Sequence, residues 1–389
     1  MRKSILALIL LLVVFTSSMT LSAQEGLIIR EIVVVGNTRT SERVIRGQLP
    51  FKEGDVWKDD FREWTIRRFT TLNIFAYEPM RIITEPLSDG ECRVLVRIGD
   101  PSVLYKDPAE FAFTTGVGLI FSQFTPTIFN PLGTGQNLNL NIVWGHNYSY
   151  GGSVTSPLGP GTFALGGRYY RSDRVFSNTD YESSGWSLEG SYRYWWSDSL
   201  RQTTRIQYHS YELDSEKNDY ISPSLGIYFS DMFSGSLSST VGFSLRDEPF
   251  FWQVQGVLFG QYGPVIGLTR AGYTSDSTPV NHRFITGGFS MLPLRGENPW
   301  HLTKAYALGT VEYHLSLGDM LAPIVFIDGG WLWKSGSIPG IDALLINIGL
   351  GVAFYTPLGV PVRLDLAINP VTFSWGWNLG FGHTYSPPF

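Results

Sequence analysis

The feature that most constrains this chain is a recurring alternation of apolar and polar residues in short runs. After residue 23, no uninterrupted apolar segment is long enough to cross a bilayer as a helix, which needs about 20 residues. Leu138, Leu140, Ile142 and Trp144 fall on one side of an extended chain, and Asn137, Asn139 and Asn141 on the other. The pattern recurs with Trp186, Leu188, Tyr192 and Tyr194 against Ser187, Glu189, Ser191 and Arg193. It returns with Leu344, Ile346, Ile348, Leu350, Val352 and Phe354 against Asn347, Gly349 and Gly351. Such strands put apolar side chains in lipid and amides in a wet lumen, and a closed barrel is the strand architecture that satisfies the backbone there.

Composition agrees with two-faced strands: 14% aromatic residues, 42 glycines and 16% charged residues accompany a mean hydropathy of +0.01. A soluble sandwich would have to turn the apolar rows inward and would be unusually large. Walking the segments gives about eleven strands before a long loop at residues 276–303 and about five after it. An even total of about sixteen brings both ends of the barrel to the same side of the membrane. The expected fold is therefore an all-β transmembrane barrel of about 16 antiparallel strands over residues 101–389.

Residues 24–100 read differently, as a small and more highly charged α+β domain. A strand over Leu27 to Val35 ends at the turn pair Gly36-Asn37, and a hydroxyl at Thr40 or Ser41 is placed to cap a short helix through Leu49. Lys58 to Leu72 is a second helix, with Phe61, Trp64 and Phe69 available to one apolar face. Phe75 to Glu85 and Glu91 to Ile98 read as strands joined at Ser88-Asp89-Gly90, completing a β-α-α-β-β order. Ahead of this domain, Arg2 and Lys3, the apolar run Ile5 to Phe15 and the small-residue site Leu21-Ser22-Ala23 read as an export signal over residues 1–23. The single cysteine, Cys92, excludes an internal disulfide and reads as a packed strand residue.

Several motifs resemble one family. Ile32-Val33-Val34-Val35-Gly36-Asn37, Phe51-Lys52-Glu53-Gly54-Asp55 and Leu72-Asn73-Ile74-Phe75 resemble a POTRA domain, the periplasmic module of outer-membrane assembly and secretion barrels. In the long loop, Gly287-Gly288 followed by Arg295-Gly296 resembles the hallmark of the sixth extracellular loop in the BamA, TamA and FhaC superfamily, where that loop folds back into the barrel. Phe326-Ile327-Asp328-Gly329-Gly330 matches the F-x-D-x-G strand motif of the same superfamily, carried by Phe326, Asp328 and Gly330. Ser374, Gly376, Leu379 and Phe381 resemble a C-terminal β-signal, with Phe373, Trp375, Trp377, Leu379 and Phe381 as its lipid-facing row. Gly349 to Gly359, followed by Arg363-Leu364-Asp365-Leu366-Ala367, resembles the penultimate hairpin of these barrels, with Arg363 and Asp365 facing inward together.

The motifs suggest a physical link. Alternation turns Val325 and Ile327 outward and Asp328 into the lumen, where Arg295 from the loop would meet it in a forked, charge-assisted contact. Glu312 and His314 face the same lumen on the preceding strand. One position departs from the relatives, which carry an aromatic after Arg-Gly where this chain has Glu297.

The resemblance implies an outer-membrane assembly factor. It would receive unfolded outer-membrane or secreted protein clients at its POTRA domain in the periplasm and promote their insertion at the barrel seam. Periplasmic chaperones or accessory lipoproteins would be further partners, and the bilayer its medium. Two rivals stay open: a two-partner secretion translocator, and a passive pore or surface-binding barrel. Scattered histidines and the absence of H-E-x-x-H, G-x-S-x-G and phosphate-loop patterns point away from an enzyme, a metal site or a cofactor. A formal charge of −5 gives no reason to expect nucleic acid.

Overall fold

The computed structural model describes residues 26–381, apart from stretches at 76–79, 88–89, 107, 121, 176–179, 214–215, 231–232, 247–248, 287–294, 296–300, 319, 334–343 and 356–360. The chain divides into two compact units. The proposed export signal lies outside the described residues, as do Gly287, Gly288, Gly296 and Glu297.

The first unit takes the chain up to Lys106 together with Ile128–Asn137 and Ser156–Pro160. It is built from β1 (Ile28–Val35), α1 (Glu42–Arg46), α2 (Asp60–Leu72), β2 (Arg81–Pro86) and β3 (Glu91–Arg97), the β-α-α-β-β order read from the sequence. β3 lies in the middle of the sheet, parallel to β1 and antiparallel to β2. Alternate residues Cys92, Val94 and Val96 of β3 are buried against Ile29 and Ile32 of β1, Phe69 and Leu72 of α2, and the fully buried Trp57. Cys92 is thus a core residue, held there by the two-residue period of its strand.

The start of α1 differs from the sequence expectation. Ser41 occupies the N-cap position without a side-chain cap, and the helix ends at Arg46 rather than Leu49. The Thr40 hydroxyl is taken up by a stronger acceptor, donating to Asp100, whose Oδ2 also accepts the amides of Arg39 at 2.6 Å and Thr40 at 3.0 Å. Burial alone would raise the Asp100 carboxyl, but the Thr40 hydroxyl and the two amides outweigh it and hold the group below the usual carboxylate range.

The second unit carries α3 (Pro108–Ile120) and the barrel strands, apart from their residues within Ile128–Asn137 and Ser156–Pro160. These are β4 (Gln123–Phe124), β5 (Thr127–Phe129), β6 (Asn137–Val143), β7 (Tyr148–Leu158), β8 (Gly161–Val175), β9 (Asp180–Trp195) and β10 (Leu200–Leu213). There follow β11 (Glu216–Ser230), β12 (Ser234–Ser244), β13 (Phe251–Tyr262) and β14 (Val265–Thr274), then the short pair β15 (Phe284–Thr286) and β16 (His301–Thr303) inside the long loop. β17 (Ala305–His314), β18 (Leu321–Trp333), β19 (Leu344–Tyr355), β20 (Pro361–Ile368) and β21 (Trp375–Phe381) complete the barrel. Apart from β15 and β16, these strands form one 16-stranded sheet in sequence order, with β4 and β5 both paired to β6. No helix among the described residues is long and apolar enough to span a membrane.

The two faces separate as the alternation requires. Trp186, Leu188, Ile346, Ile348 and Leu350 are exposed on the outer surface, while Ser187 and Asn347 between them are buried toward the interior. One segment departs from the strand pattern expected from about residue 101. Residues 108–120 form α3, although Phe111, Phe113, Thr115, Val117 and Leu119 alternate with mostly small residues. A helix satisfies its backbone groups internally, whereas a strand there would need a partner edge.

The Asp100 contacts give a pH dependence. Because its folded pKa is depressed, Asp100 contributes stability that is present above the unfolded value of about 3.9 and lost as pH falls through the folded one. Hydrogen exchange of the β1 amides should therefore show the first unit loosening below pH ~3.9. Asp100→Asn should cost about 1–3 kcal/mol at pH 7 and flatten that acid dependence.

Candidate functional site

Three neighbouring strands bring charge into the lumen by the same alternation. β17 pairs with β18 so that Thr310 stands opposite Asp328 and Glu312 opposite Phe326. On β20, Arg363 and Asp365 share the inward face. Between β18 and β20 runs β19, whose inward residues are small: a Cβ at Gly349 would lie 2.3 Å from the Phe326 ring, and one at Gly351 would lie 2.1 Å from Asp365 Oδ1. Those two glycines leave the volume in which Phe326 and Asp365 can lie across their neighbour strand.

Arg295, from the long loop, enters this space and is 2% exposed. Its Nε donates to Asp328 Oδ2 at 2.7 Å and its Nη2 to Asp328 Oδ1, a two-pronged contact that matches the planar fork of guanidinium to carboxylate. The Arg295 backbone amide donates to the same Oδ2 at 3.2 Å, and Thr310 Oγ1 donates to Oδ1 at 3.0 Å. On its other side, Arg295 Nη1 donates to Glu312 Oε1 at 2.6 Å and lies 3.6 Å from Asp365 Oδ2. The guanidinium lies over the Phe326 ring, its carbon 3.4 Å from the ring centroid.

Glu312 is the hub. Besides Arg295 it accepts from Arg363 at 2.8 and 3.0 Å and bonds to the His314 ring at 2.8 Å, while Arg363 Nε reaches both oxygens of Asp365 at 2.9 Å. Two arginines and three carboxylates thus interlock with Glu312, Asp328 and Asp365 all at most 1% exposed. Ions taken this far from water are tolerable only when paired and hydrogen-bonded, and here each oxygen of Asp328 and Glu312 accepts at least one such bond.

No family model matches the chain. A curated relative, the outer membrane protein assembly factor BamA of Neorickettsia risticii (strain Illinois), is 23% identical over 393 residues, which cover 87% of this chain and 52% of that protein. The chain thus spans about half the length of the curated relative it matches. Among solved structures, BamA from Haemophilus ducreyi lacking POTRA domains 1–3 superposes with a TM-score of 0.58 at 14% identity, covering 91% of this chain and 84% of that one. CdiB from Acinetobacter baumannii gives 0.60 at 16% identity over 92% and 73% of the two chains, and CdiB from Escherichia coli 0.57 at 16% over 92% and 75%. The chain thus shares the fold of the BamA and CdiB barrels.

In this barrel, the structure brings Arg295, Glu312, Asp328 and Phe326 together and adds Arg363 and Asp365 to them. Gly330 has a steric role, since a Cβ there would lie 2.4 Å from Leu308 and 2.5 Å from a β17 carbonyl. Ser374, Gly376, Leu379 and Phe381 stand apart from the cluster, at and along β21, where Leu379 pairs with Leu364 and Phe381 with Val362. Phe373, Trp375 and Trp377 are exposed on the outer row. The sequence marked Arg363 and Asp365 as inward-facing but carried no sign that they would reach Glu312, because that contact joins residues 51 positions apart.

Removing one member of this cluster strands a buried charge. Arg295→Ala and Asp328→Ala are each expected to cost about 3–5 kcal/mol of loop anchoring, read as faster hydrogen exchange and protease cleavage within residues 276–303. Arg295→Lys should fail to restore protection, since an ammonium cannot make both prongs of the contact.

Proposed function

We propose that this protein is an outer-membrane assembly factor that receives unfolded protein clients at a periplasmic POTRA domain, residues 24–100, and promotes their insertion at the seam of its barrel. The observation that carries this reading is the sheet order, which among the described residues runs from β21 at one end to β4 at the other without returning on itself. Two strand edges are thereby available for pairing, and a strand edge recruits chain through backbone hydrogen bonds rather than side-chain identity. The last edge bears exposed Trp375 and Trp377, an apolar surface suited to lipid on which a client strand can be laid. The loop locked to β17, β18 and β20 keeps that side of the barrel rigid, so that opening is confined to the other side of β21.

A second reading has its own support, because the barrel superposes on CdiB as well as on BamA. A translocator would pass one dedicated substrate through the lumen.

Depletion of the protein in its native host, followed by quantitative proteomics of the outer membrane, separates them. Broad loss of barrel proteins, reproduced by Arg295→Ala or Asp328→Ala at normal abundance of the variant, is the expected outcome. Loss of one secreted protein with an otherwise intact membrane would replace this reading with the translocator. An unchanged proteome would leave a passive barrel.

A further inference from the structure

A second polar site lies on the lumenal wall, away from the Arg295 cluster. A cavity of about 280 Å³ is lined by Ser149 of β7, Arg168 of β8, His209 of β10 and His282, which sits in a 3-10 turn (Val280–His282) where the long loop begins. Its volume is several times the ~30 Å³ share of one water. The backbone makes room for it: a Cβ at Gly151 would lie 2.6 Å from the Arg168 Cβ, so the glycine lets Arg168 stand in the wall.

The charged side chains in and near this space differ in how they are paired. Arg171 next door is paired with Glu182 at 2.5 Å, and Glu189 is engaged by Arg205 at 3.1 Å and Gln207 at 2.6 Å. Arg168 has no carboxylate against it among the described residues and rests over the Tyr170 ring at 5.6 Å. The Nε2 of His282 and the hydroxyl of Ser149 are buried without a hydrogen-bond partner. His282 is fixed in position by its neighbours, with ring centroids 4.7 Å from Phe251, 5.1 Å from His209 and 5.7 Å from Tyr220, and with its carbonyl accepting from Gln253 at 3.3 Å.

A guanidinium, two imidazoles and a hydroxyl can all donate, and the guanidinium cannot accept. Buried polar atoms left without partners in a native protein call for a water or an ion. A metal cation is disfavoured by the Arg168 charge, which leaves an acceptor of several hydrogen bonds carrying negative charge. We propose that this cavity binds a small oxyanion of the phosphate class, held by Arg168, His209, His282 and Ser149. Because three of these come from the wall and His282 from the mouth of the loop, the bound anion ties the loop's entry to the barrel at a point independent of Arg295.

The test is equilibrium dialysis of radiolabelled inorganic phosphate against the full-length protein in detergent micelles, with heat-modifiable electrophoretic mobility as the check that each variant is a folded barrel. One saturable equivalent per chain is expected. Arg168→Gln and His282→Phe should each weaken it roughly ten- to a hundredfold, the worth of a hydrogen bond to a charged group. Arg205→Gln, which removes a lumenal arginine outside the cavity lining, should leave it unchanged. Competition by glycerol phosphate that exceeds inorganic phosphate would assign the site to a lipid headgroup, and the reverse order to the free ion. Absence of saturable binding, or binding that Arg168→Gln leaves intact in a folded barrel, would overturn the proposal and leave a water-filled cavity.

Discussion

The structure turns on a buried charge cluster whose members cannot be desolvated separately. Arg295 inserts between Asp328 and Glu312 while Arg363 closes on Glu312 and Asp365 from the far side. Each ion is compensated by at least one of opposite sign, and the Phe326 ring seals one face of the guanidinium. Such a cluster adds little net stability compared with an apolar core of the same volume, but it fixes one arrangement, because any other leaves a charge unpaired in a low-dielectric space. The chain uses it to hold Arg295 of the long loop against β17, β18 and β20.

That pinning divides the barrel into two regimes. From β17 to β20, Glu312, Asp328, Arg363 and Asp365 are engaged with one another and with Arg295, and Gly349 and Gly351 let the neighbouring side chains close over β19. From β7 to β10 the interior is more open, with Arg168 exposed and a cavity lined by donors. The last strand, β21, carries exposed tryptophans and stands at the end of the sheet order. A rigid side, an open side and a terminal edge together are what the proposed insertion role requires.

Much of this was legible in the residues because strand alternation is a local code. The outer rows at Trp186–Leu188 and Ile346–Leu350, the inward turn of Asp328, and the β-α-α-β-β order of the first unit all follow from periods of two and 3.6 read along the chain. The departures share a different cause. Thr40 donates to Asp100 instead of leaving a hydroxyl cap at α1, and residues 108–120 coil into α3 despite an alternating text. In each case the choice was made by what lay nearby in space, an acceptor sixty positions on or the presence or absence of a partner edge, and not by the segment itself.

By itself, the sequence determined that the chain builds a two-faced barrel, which residues point inward, and that an arginine in the long loop has a carboxylate on the strand face to meet. Side-chain direction is a matter of neighbours one and two residues away, so sequence spacing is enough. Only the tertiary structure decided that Glu312 serves both arginines, that Phe326 becomes a platform for Arg295, and that His282 leaves the loop to join Arg168 and His209 around a cavity. Those outcomes depend on strand register, the size of the intervening glycines and the path of a connection between distant strands, and these are fixed only when the sheet is assembled.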